Sequence, residues 1–311
     1  MNYPLVAIVG PTASGKSQIG LDLAERFSGE IVNYDSVQIF RHMNIGTAKP
    51  SPEERLRVPH HMVDIREPFE IFTAGDYQRE ARAVLAEICE RRNLPILVGG
   101  TGLYLRALTD GLFNGPARSI YWRNRLEMIA ERKGITHLHR LLARLDAIAA
   151  ARIAQRDRPK IIRALEVRLE TGKALSEHLA LEPRQPLTGF KTIYVGLNPS
   201  RTELYRRIDD RVHHMFASGL VEEVRQLLAN GIPRSAKAFE AIGYRHVLAD
   251  FDSCIDMEGT IRIIQRDTRR YAKRQMTWFR NQPNITWFNG PGDDEEIKNK
   301  VRQFVQPFLK F

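Results

Sequence analysis

The residues most suggestive of chemistry form one short glycine-rich segment near the start of the chain. Residues 10–17 read Gly-Pro-Thr-Ala-Ser-Gly-Lys-Ser and match the phosphate-loop pattern G-x-x-x-x-G-K-[ST] in full. In such a loop the backbone N–H groups close around phosphate oxygens, and the following helix adds the partial positive charge of its N-terminus. Lys16 would supply a mobile cation, and the Ser17 hydroxyl can coordinate Mg²⁺. The segment therefore predicts a site for a ligand with at least two linked phosphates.

A carboxylate that could act beside this loop is Asp35. Kinases and ATPases usually place an acid at the end of another core strand, where it holds Mg²⁺ or positions the nucleophile. Here the apolar run Leu94–Val98 ends in Gly-Gly-Thr-Gly, and the acid follows the run Glu30–Tyr34 instead. Neighbouring parallel strands open into one crevice at their carboxyl ends, so Asp35 and Thr101 are expected to face the phosphate loop. A turn or a helix cap is the ordinary role of an isolated Asp after a strand, and that interpretation stays open.

Strand and helix patterns alternate along the segments that must position these residues. Buried-strand patterns occupy Leu5–Gly10, Glu30–Tyr34, Leu94–Val98 and Thr192–Leu197. Helical periodicity occupies Gln18–Phe27, Thr73–Arg92 with Thr73 as a cap, Thr202–Gly231 with a break near Gly219, and Ile261–Phe279. The alternation predicts an α/β fold in which helices cover both faces of a parallel sheet.

The middle of the chain differs from both flanks. Residues 115–186 show no strand pattern, are rich in arginine, and are bounded by Gly115-Pro116 and by the segment Pro183–Gly189. We interpret them as a helical insertion domain. The catalytic core with basic C-terminal helices would then comprise residues 1–114 and 187–311.

The distribution of charge indicates a polyanionic partner. The 311 residues carry a net charge of +10. Residues 115–186 contain 15 basic and 8 acidic side chains, and residues 260–281 contain 7 basic and 1 acidic. Solvated helix faces would explain either region alone, but two such regions together favour nucleic acid. In the second region the basic residues recur at helical spacings of three and four and would form one cationic face: Arg262, Arg266, Arg269, Arg270, Lys273 and Arg274.

Composition excludes several other classes of protein. No apolar stretch approaches the ~20 residues that span a bilayer, and no cationic segment precedes the first strand as in a signal peptide. Cys89 and Cys254 are too few for a disulfide framework or a zinc site, so a cytoplasmic location is expected. Three histidine pairs resemble metal ligands but lack a third ligand at a suitable spacing: His60-His61, His137/His139 and His213-His214.

A succession of motifs extends from residue 10 to residue 280. After the phosphate loop come Asp-Ser-Val-Gln at 35–38, Gly-Thr-Ala-Lys-Pro at 46–50 and Gly-Gly-Thr-Gly-Leu-Tyr at 99–104. Arg-Ala-Leu-Glu at 163–166, Gly-Tyr-Arg at 243–245 and Lys-Arg-Gln-Met-Thr-Trp-Phe at 273–279 follow. Each motif is weak alone, but in this order they resemble the tRNA dimethylallyltransferase family. No Cys/His zinc finger follows the last motif, so the bacterial form of the family is the closer match.

The resemblance implies a P-loop NTPase-like core with a helical insertion that grips the anticodon arm of tRNA. It implies transfer of a dimethylallyl group from dimethylallyl diphosphate to N6 of adenine 37, with Mg²⁺ required and Ser17 as its ligand. Asp35 would take the proton from the amine, and Thr101 would orient it. We expect a monomer without membrane association. The diphosphate-binding residues implied are Gly10, Pro11, Thr12, Ala13, Ser14, Gly15, Lys16, Ser17 and Arg211.

The resemblance also implies which segments contact tRNA. It assigns this role to Asp35, Ser36, Val37, Gln38, Thr101, Arg123, Pro159, Lys160, Ile161, Ile162, Arg163, Glu240, Ala241, Ile242, Gly243, Tyr244, Arg245, Lys273, Arg274, Gln275, Met276, Thr277, Trp278, Phe279 and Arg280. The segment 240–242 departs from the family, in which relatives often begin it with arginine or glutamine. The aromatic residues Trp278, Phe279 and Trp287 could stack on bases, although burial in the core is the commoner role of such side chains.

Two other functions remain open at this stage. One is a small-molecule kinase that uses ATP at the phosphate loop, and the other is a nucleic-acid-binding ATPase. Both would ordinarily place an acid at the end of Leu94–Val98, where this chain has glycines. Whether ATP binds at all is not decided by the motif.

Overall fold

The computed structural model describes residues 2–113, 115–181, 184–253 and 256–309. Two residues named above, Pro183 and Cys254, lie outside these ranges. The chain forms two compact units, the first comprising Met1–Thr109 with Leu187–Phe311 and the second Asp110–Pro186. The chain leaves and re-enters the first unit at adjacent points, because the Leu187 N–H donates to the Thr109 carbonyl at 2.8 Å.

The first unit is built on one parallel sheet. Its six strands lie in the spatial order β3-β2-β4-β1-β5-β6, and every pairing is parallel. The strands are β1 Tyr3–Val9, β2 Gly29–Asn33, β3 His60–His61, β4 Leu94–Val98, β5 Phe190–Leu197 and β6 Ile285–Phe288. The predicted α/β fold is therefore confirmed, as are the four strands predicted from the sequence.

Fourteen α-helices lie in the described residues. In the first unit they are α1 Lys16–Arg26, α2 Pro52–Arg57, α3 Ala74–Glu90 and α4 Gly102–Thr109, and in the second α5 Ile120–Lys133, α6 Ile135–Leu145, α7 Ala147–Arg152, α8 Arg158–Thr171 and α9 Leu175–Leu181. The first unit continues with α10 Arg201–Ala217, α11 Leu220–Ala229, α12 Tyr244–Ser253, α13 Met257–Arg280 and α14 Glu295–Val305.

Apolar side chains from both faces of the sheet form the core of the first unit. On one face Val6 and Ile8 of β1 pack with residues of α1 and α14. On the other, Leu5, Ala7 and Val9 pack with residues of α3, α4 and the end of α13. Strands buried on both faces read as continuous apolar runs, and for this reason β1 and β4 could be recognised in the sequence.

Local sequence signals fix several helix ends. Thr73 caps α3 in a capping box with Asp76, as its position predicted. Gly219 has φ +96°, a conformation that L side chains rarely adopt, and it separates α10 from α11 at the predicted break. None of the helices in the described ranges combines the length and apolar character needed to cross a bilayer.

In the second unit, described apart from Asn114, Glu182 and Pro183, the residues form helices without strands. Leu126, Leu138, Leu142 and Leu165 belong to its apolar core. A fully buried carboxylate, Glu166, accepts bonds at the edge of this core from the Arg123 side chain at 3.1 and 2.9 Å, the Arg163 side chain at 3.0 Å and the Ser119 N–H at 2.6 Å. Removing one partner of such a buried pair is strongly destabilising, so the cluster helps to hold α5 against α8.

Candidate active site

The phosphate loop connects β1 to α1. Gly10, Ala13 and Gly15 have φ values of +148°, +63° and +85°, which turn the chain sharply between the two elements. A Cβ at Gly10 would lie 2.9 Å from the Leu197 carbonyl oxygen, so only glycine fits there. The Lys16 ammonium donates to the carbonyl oxygens of Gly10 at 3.0 Å and Pro11 at 2.6 Å. The loop thus holds its own cation in place.

Three distant segments support the loop from outside. The Gln275 side chain accepts from the Thr12 N–H at 2.8 Å and donates to the Gly100 carbonyl at 2.9 Å, joining the loop to the end of β4. The Arg207 guanidinium donates to the Ala13 carbonyl at 2.9 Å. The Gly292 N–H donates to the Ser14 carbonyl at 2.9 Å.

The electrostatic character of the loop favours an anion. Burial, followed by the nearby Arg211, lowers the pKa of Lys16 to about 7. Burial also lowers the pKa of Arg211, whose guanidinium donates to the Thr12 hydroxyl at 3.2 Å. The hydroxyl of the buried Ser14 has no hydrogen-bond partner among the described residues. A phosphate group would offset the repulsion between the two cations and satisfy this hydroxyl.

Asp35 lies directly after β2. Its Oδ1 accepts from the Val37 N–H at 2.9 Å, and its own N–H donates to Asn33 Oδ1 at 2.9 Å. The other carboxylate oxygen, Oδ2, accepts no hydrogen bond from the part of the chain that the structure describes. A Cβ at Gly99 would lie 2.8 Å from the Asp35 nitrogen, so the glycine after β4 permits this close approach. Asp35 is therefore both a turn former and a carboxylate with one free oxygen.

Thr101 begins the turn after β4. Its hydroxyl oxygen accepts from the Ser36 N–H at 3.0 Å and lies 3.1 Å from the Ser36 hydroxyl oxygen. Thr101 thus fixes the segment that carries Asp35. Burial and the nearby Asp35 raise the pKa of Tyr271, which lines the same cleft from α13.

These elements enclose one cleft of about 500 Å³. Its lining includes residues 12–17 of the phosphate loop, Asp35, Gly100 and Arg211. The expectation that Asp35 faces the phosphate loop thus agrees with the position of both in the cleft. Thr101 is not a lining residue itself; it follows Gly100 of the lining, and its hydroxyl accepts from Ser36, the residue after Asp35.

The residues of the cleft suit Mg²⁺ when a diphosphate is bound. No group of three or more His, Cys, Asp or Glu side chains that could hold a metal occurs among the described residues. Mg²⁺ needs no such cage, because it commonly takes one or two protein oxygens together with substrate phosphates and water. Ser17 lines the cleft with the rest of the phosphate loop, and its hydroxyl oxygen is a suitable donor. This donor fits a metal brought in with its ligand.

Many side chains of the segments expected to contact tRNA are accessible. Ser36, Val37 and Gln38 are half-buried beside the cleft. On α13, Lys273, Arg274, Thr277 and Arg280 are exposed, whereas Met276 and Trp278 are half-buried. The other exposed or half-buried residues of the expected tRNA-contacting set are Asp35, Thr101, Arg123, Pro159, Lys160, Arg163, Glu240, Ala241, Ile242 and Arg245.

Six residues in those segments are buried and play structural parts. Ile161 and Ile162 belong to the core of the second unit, and Phe279 belongs to the core under β1. Tyr244 is inaccessible and donates to Glu223, and Gln275 is committed to the phosphate loop. The side chains of Ile161, Ile162, Tyr244 and Phe279 have almost no accessible surface for a contact with RNA, whereas Gln275 lines the cleft. Gly243, also buried, has φ +97° and turns the chain into α12.

The cationic face of α13 is partly neutralised by acids. Asp267 lies within 3.5 Å of the Arg266 and Arg270 side chains, and Arg269 pairs with Asp209 of α10. Lys273 and Arg274 have no carboxylate partner in the described ranges. The free charge is therefore concentrated toward the end of the helix.

Some cleft residues were not identified from the sequence. Arg207 lies one helical turn before Arg211 on α10, and this i, i+4 spacing was the available signal. Tyr271 and Asp293 also line the cleft, but they come from α13 and the turn before α14. Only the packing of those elements brings them there.

Comparison with known proteins provides an independent line of support. A family profile described as IPP transferase matches residues 38–282. The chain is 48% identical to a tRNA dimethylallyltransferase of Koribacter versatilis over 98% of this chain and 99% of the relative. It is 49% identical to one of Solibacter usitatus with the same coverage of both chains.

Solved structures agree in fold over nearly the whole length. The full-length tRNA isopentenylpyrophosphate transferase from Bacillus halodurans superposes with a TM-score of 0.73 at 39% identity, covering 99% of this chain and 97% of that chain. A eukaryotic dimethylallyltransferase acting on tRNA gives a TM-score of 0.80 at 26% identity, covering 97% of this chain and 78% of that chain.

Proposed function

This chain belongs to the IPP transferase family of tRNA dimethylallyltransferases, and we propose that it transfers a dimethylallyl group from dimethylallyl diphosphate to N6 of adenine 37 in tRNA. The observation that carries the proposal is the shared cleft, in which Asp35 and the phosphate loop lie together with Arg211. The kinase and ATPase alternatives lose their support, because the relatives that match the whole chain are prenyltransferases.

The donor would be activated through its leaving group. The allylic C–O bond breaks as its electron pair moves onto the diphosphate, which gains negative charge. Lys16, Arg211 and the N–H groups at the start of α1 can stabilise that charge. In the structure Lys16 already donates to two loop carbonyls, so little reorganisation is required when the diphosphate binds. Mg²⁺ held by Ser17 would supply further neutralisation of the diphosphate.

The acceptor needs a base. The lone pair of an adenine N6 amine is delocalised into the ring, so the amine is a weak nucleophile until the electrophile develops. As the new C–N bond forms, the amine becomes acidic and gives up one proton. Asp35 can accept it, because its Oδ2 is free while Oδ1 is held by the Val37 N–H. Thr101 would keep this carboxylate in position through Ser36.

The tRNA must present an unpaired base to this cleft. A base inside a duplex cannot reach a catalytic carboxylate, whereas a loop base can be extruded. We assign grip on the anticodon arm to the helical unit and to Lys273, Arg274 and Arg280 of α13, which are exposed. The active species proposed is a monomer in the cytoplasm.

A direct test combines the purified chain, dimethylallyl diphosphate, Mg²⁺ and an anticodon stem-loop that carries adenine 37. The expected product is a stem-loop whose digested nucleosides contain N6-dimethylallyladenosine by mass spectrometry. A stem-loop with guanine at position 37 is the matched control and should stay unmodified. Phosphate release from ATP in place of prenyl transfer would contradict the proposal.

A further inference from the structure

A short loop after β2 forms one wall of the cleft. We call residues 44–49 the wall loop. Thr47 and Ala48, at its centre, line the cleft together with the phosphate loop. Their carbonyl oxygens both accept from the Gln38 amide at 3.1 Å, and Ala48 has φ +49°. A non-glycine residue holds that conformation only when its surroundings enforce it.

The first anchor of the wall loop is a buried carboxylate on α11. Glu223 Oε2 accepts from the N–H groups of Asn44 and Ile45, both at 2.9 Å, and Oε1 accepts from Gly46 N–H at 3.3 Å. The Tyr244 hydroxyl donates to the same Oε1 at 2.6 Å. A Cβ at Gly46 would lie 2.4 Å from the Tyr244 ring, so the ring packs directly against the loop backbone.

The second anchor is at the other end of the loop. Lys49, with a side chain only 3% exposed, pairs with Asp64 at 2.6 Å and donates to the Phe40 carbonyl at 2.7 Å. The two anchors leave Thr47 and Ala48 between them with little freedom. Burying the charged groups of Glu223 and Lys49 costs free energy. Their hydrogen bonds and ion pairs offset this cost only while the wall loop stays in this position.

Glu223 is not among the described residues that line the cleft, so it acts at a distance from the reacting atoms. Building on the function proposed above, we propose that Glu223 is a positioning residue that fixes the wall loop and thereby directs the allylic group to adenine instead of water. Loss of this control would admit a side reaction. The oxygen of water would bond to the allylic carbon as the C–O bond to diphosphate breaks, the electron pair would leave with diphosphate, and one proton would pass to solvent. The product would be dimethylallyl alcohol.

The test measures how each donor molecule is divided between the two acceptors. Full-length protein, labelled dimethylallyl diphosphate, Mg²⁺ and the adenine 37 stem-loop are combined, and labelled alcohol is compared with labelled RNA. Glu223→Gln should raise the ratio of alcohol to RNA product at least about tenfold, because an amide cannot accept all four bonds. Tyr244→Phe removes one bond and keeps the ring, so a rise of a few-fold is expected. Glu222→Gln, an exposed neighbour with a 58% exposed side chain, should leave the ratio unchanged.

A merely structural role would lower the amount of folded protein or the total rate without changing this ratio. An unchanged ratio in folded Glu223→Gln would overturn the inference. Should that variant fail to fold, Tyr244→Phe decides, and an unchanged ratio in it would overturn the inference equally. Failure of the wild-type protein to modify the stem-loop would refute the proposed function instead, which keeps the two outcomes separate.

Discussion

In the proposed mechanism Asp35 combines two functions that a single substitution can separate. Oδ1 holds the turn through Val37, and Oδ2 is free for the proton of the amine. In Asp35→Asn the side-chain carbonyl can still accept from Val37, so the turn should persist. The variant cannot take up a proton, and transfer should fall by about two to four orders of magnitude.

This prediction requires single-turnover transfer to the stem-loop, with binding of donor and RNA measured separately. Both affinities should stay within several-fold of the wild type, because the substitution removes a negative charge near two anions. Near-normal transfer would mean that another group or solvent removes the proton.

In the proposed function, Lys16 is the phosphate-loop residue whose ammonium group contacts the diphosphate. Lys16→Ala removes a charged donor to the diphosphate, and affinity for dimethylallyl diphosphate should fall roughly tenfold to a hundredfold, the usual worth of such a bond. Affinity for tRNA should change little. Titration calorimetry with each ligand measures both, and Lys300→Ala, whose partner is the exposed Glu296, is the control. Unchanged donor affinity would refute the assignment of the loop.

At the scale of single residues, the sequence predicted the kind of chemistry but identified only some of the residues around the cleft. Asp35 and Thr101 could be placed because both follow recognisable strands, and parallel strands bring their carboxyl ends together. Glu223 and Arg207 could not, because their partners depend on how α10 and α11 pack against loops far away in sequence. Tyr244 shows a different limit, since its motif suggested contact with RNA but gave no sign that its side chain is buried.

At the scale of the elements, strand β2 is tied to its neighbours by a buried carboxylate. Glu30 accepts bonds from Arg91 at 2.8 and 2.9 Å and from Asn93 at 2.8 Å, and it lies 2.6 Å from His61 on β3. The hydrogen bond from Arg91 is the largest of the effects that lower the pKa of Glu30 to about 2, and those with Asn93 and His61 add to it. Burial acts in the opposite direction and raises this pKa. The ionised form is therefore favoured in the folded state.

A carboxylate whose pKa is lower in the folded state than in the unfolded state stabilises the fold at pH values above its unfolded-state pKa. This stabilisation is lost as the pH falls through the folded-state pKa. Between about pH 4.5 and pH 2 the contribution of Glu30 should disappear, and its size at pH 7 is roughly 2–3 kcal/mol. Glu30→Gln should thus lower stability at neutral pH but differ little from the wild type near pH 2. Urea midpoints at both pH values test this, with the exposed Glu90→Gln as control. A constant difference at both pH values would contradict it.

Element prediction succeeded where a pattern was long enough. Strands β1, β2, β4 and β5 each have five residues or more, and β1 and β4 are apolar almost throughout. Strand β3 has two residues and β6 four, too few for alternation or an apolar run to appear. His60-His61 suggested a metal pair, whereas the structure uses these residues as the edge strand beside Ile31 and Val32.

On the scale of the whole molecule, the helical unit is attached at two neighbouring points, Thr109 and Leu187. Deleting residues 110–186 and joining these ends with a short glycine linker should leave a folded first unit that still binds donor. Affinity for tRNA should fall steeply, because contacts to phosphates dominate affinity and the unit is rich in arginine.

Thermal shift with dimethylallyl diphosphate and RNA binding at two salt concentrations would measure these effects. The dependence of affinity on salt should also weaken in the deleted protein, since fewer counterions are released. A folded deletion variant that binds tRNA as tightly as the parent would show that the helical unit is not the grip.

The contact between Gly292 and Ser14 has a consequence for the time course of synthesis. The phosphate loop is made first, but the segment that supports it emerges only after nearly the whole chain, on the order of 15–60 s later at ~5–20 residues per second. Strand β1 likewise cannot pair with β5, its neighbour in the sheet, until residues 190–197 have been synthesised. A partly made chain has an open strand edge and an unsupported loop, whereas the helical unit, continuous in sequence, can form in between. Under the proposed function, the growing chain would complete the helical part of its RNA-binding surface before the loop that binds the prenyl donor is supported.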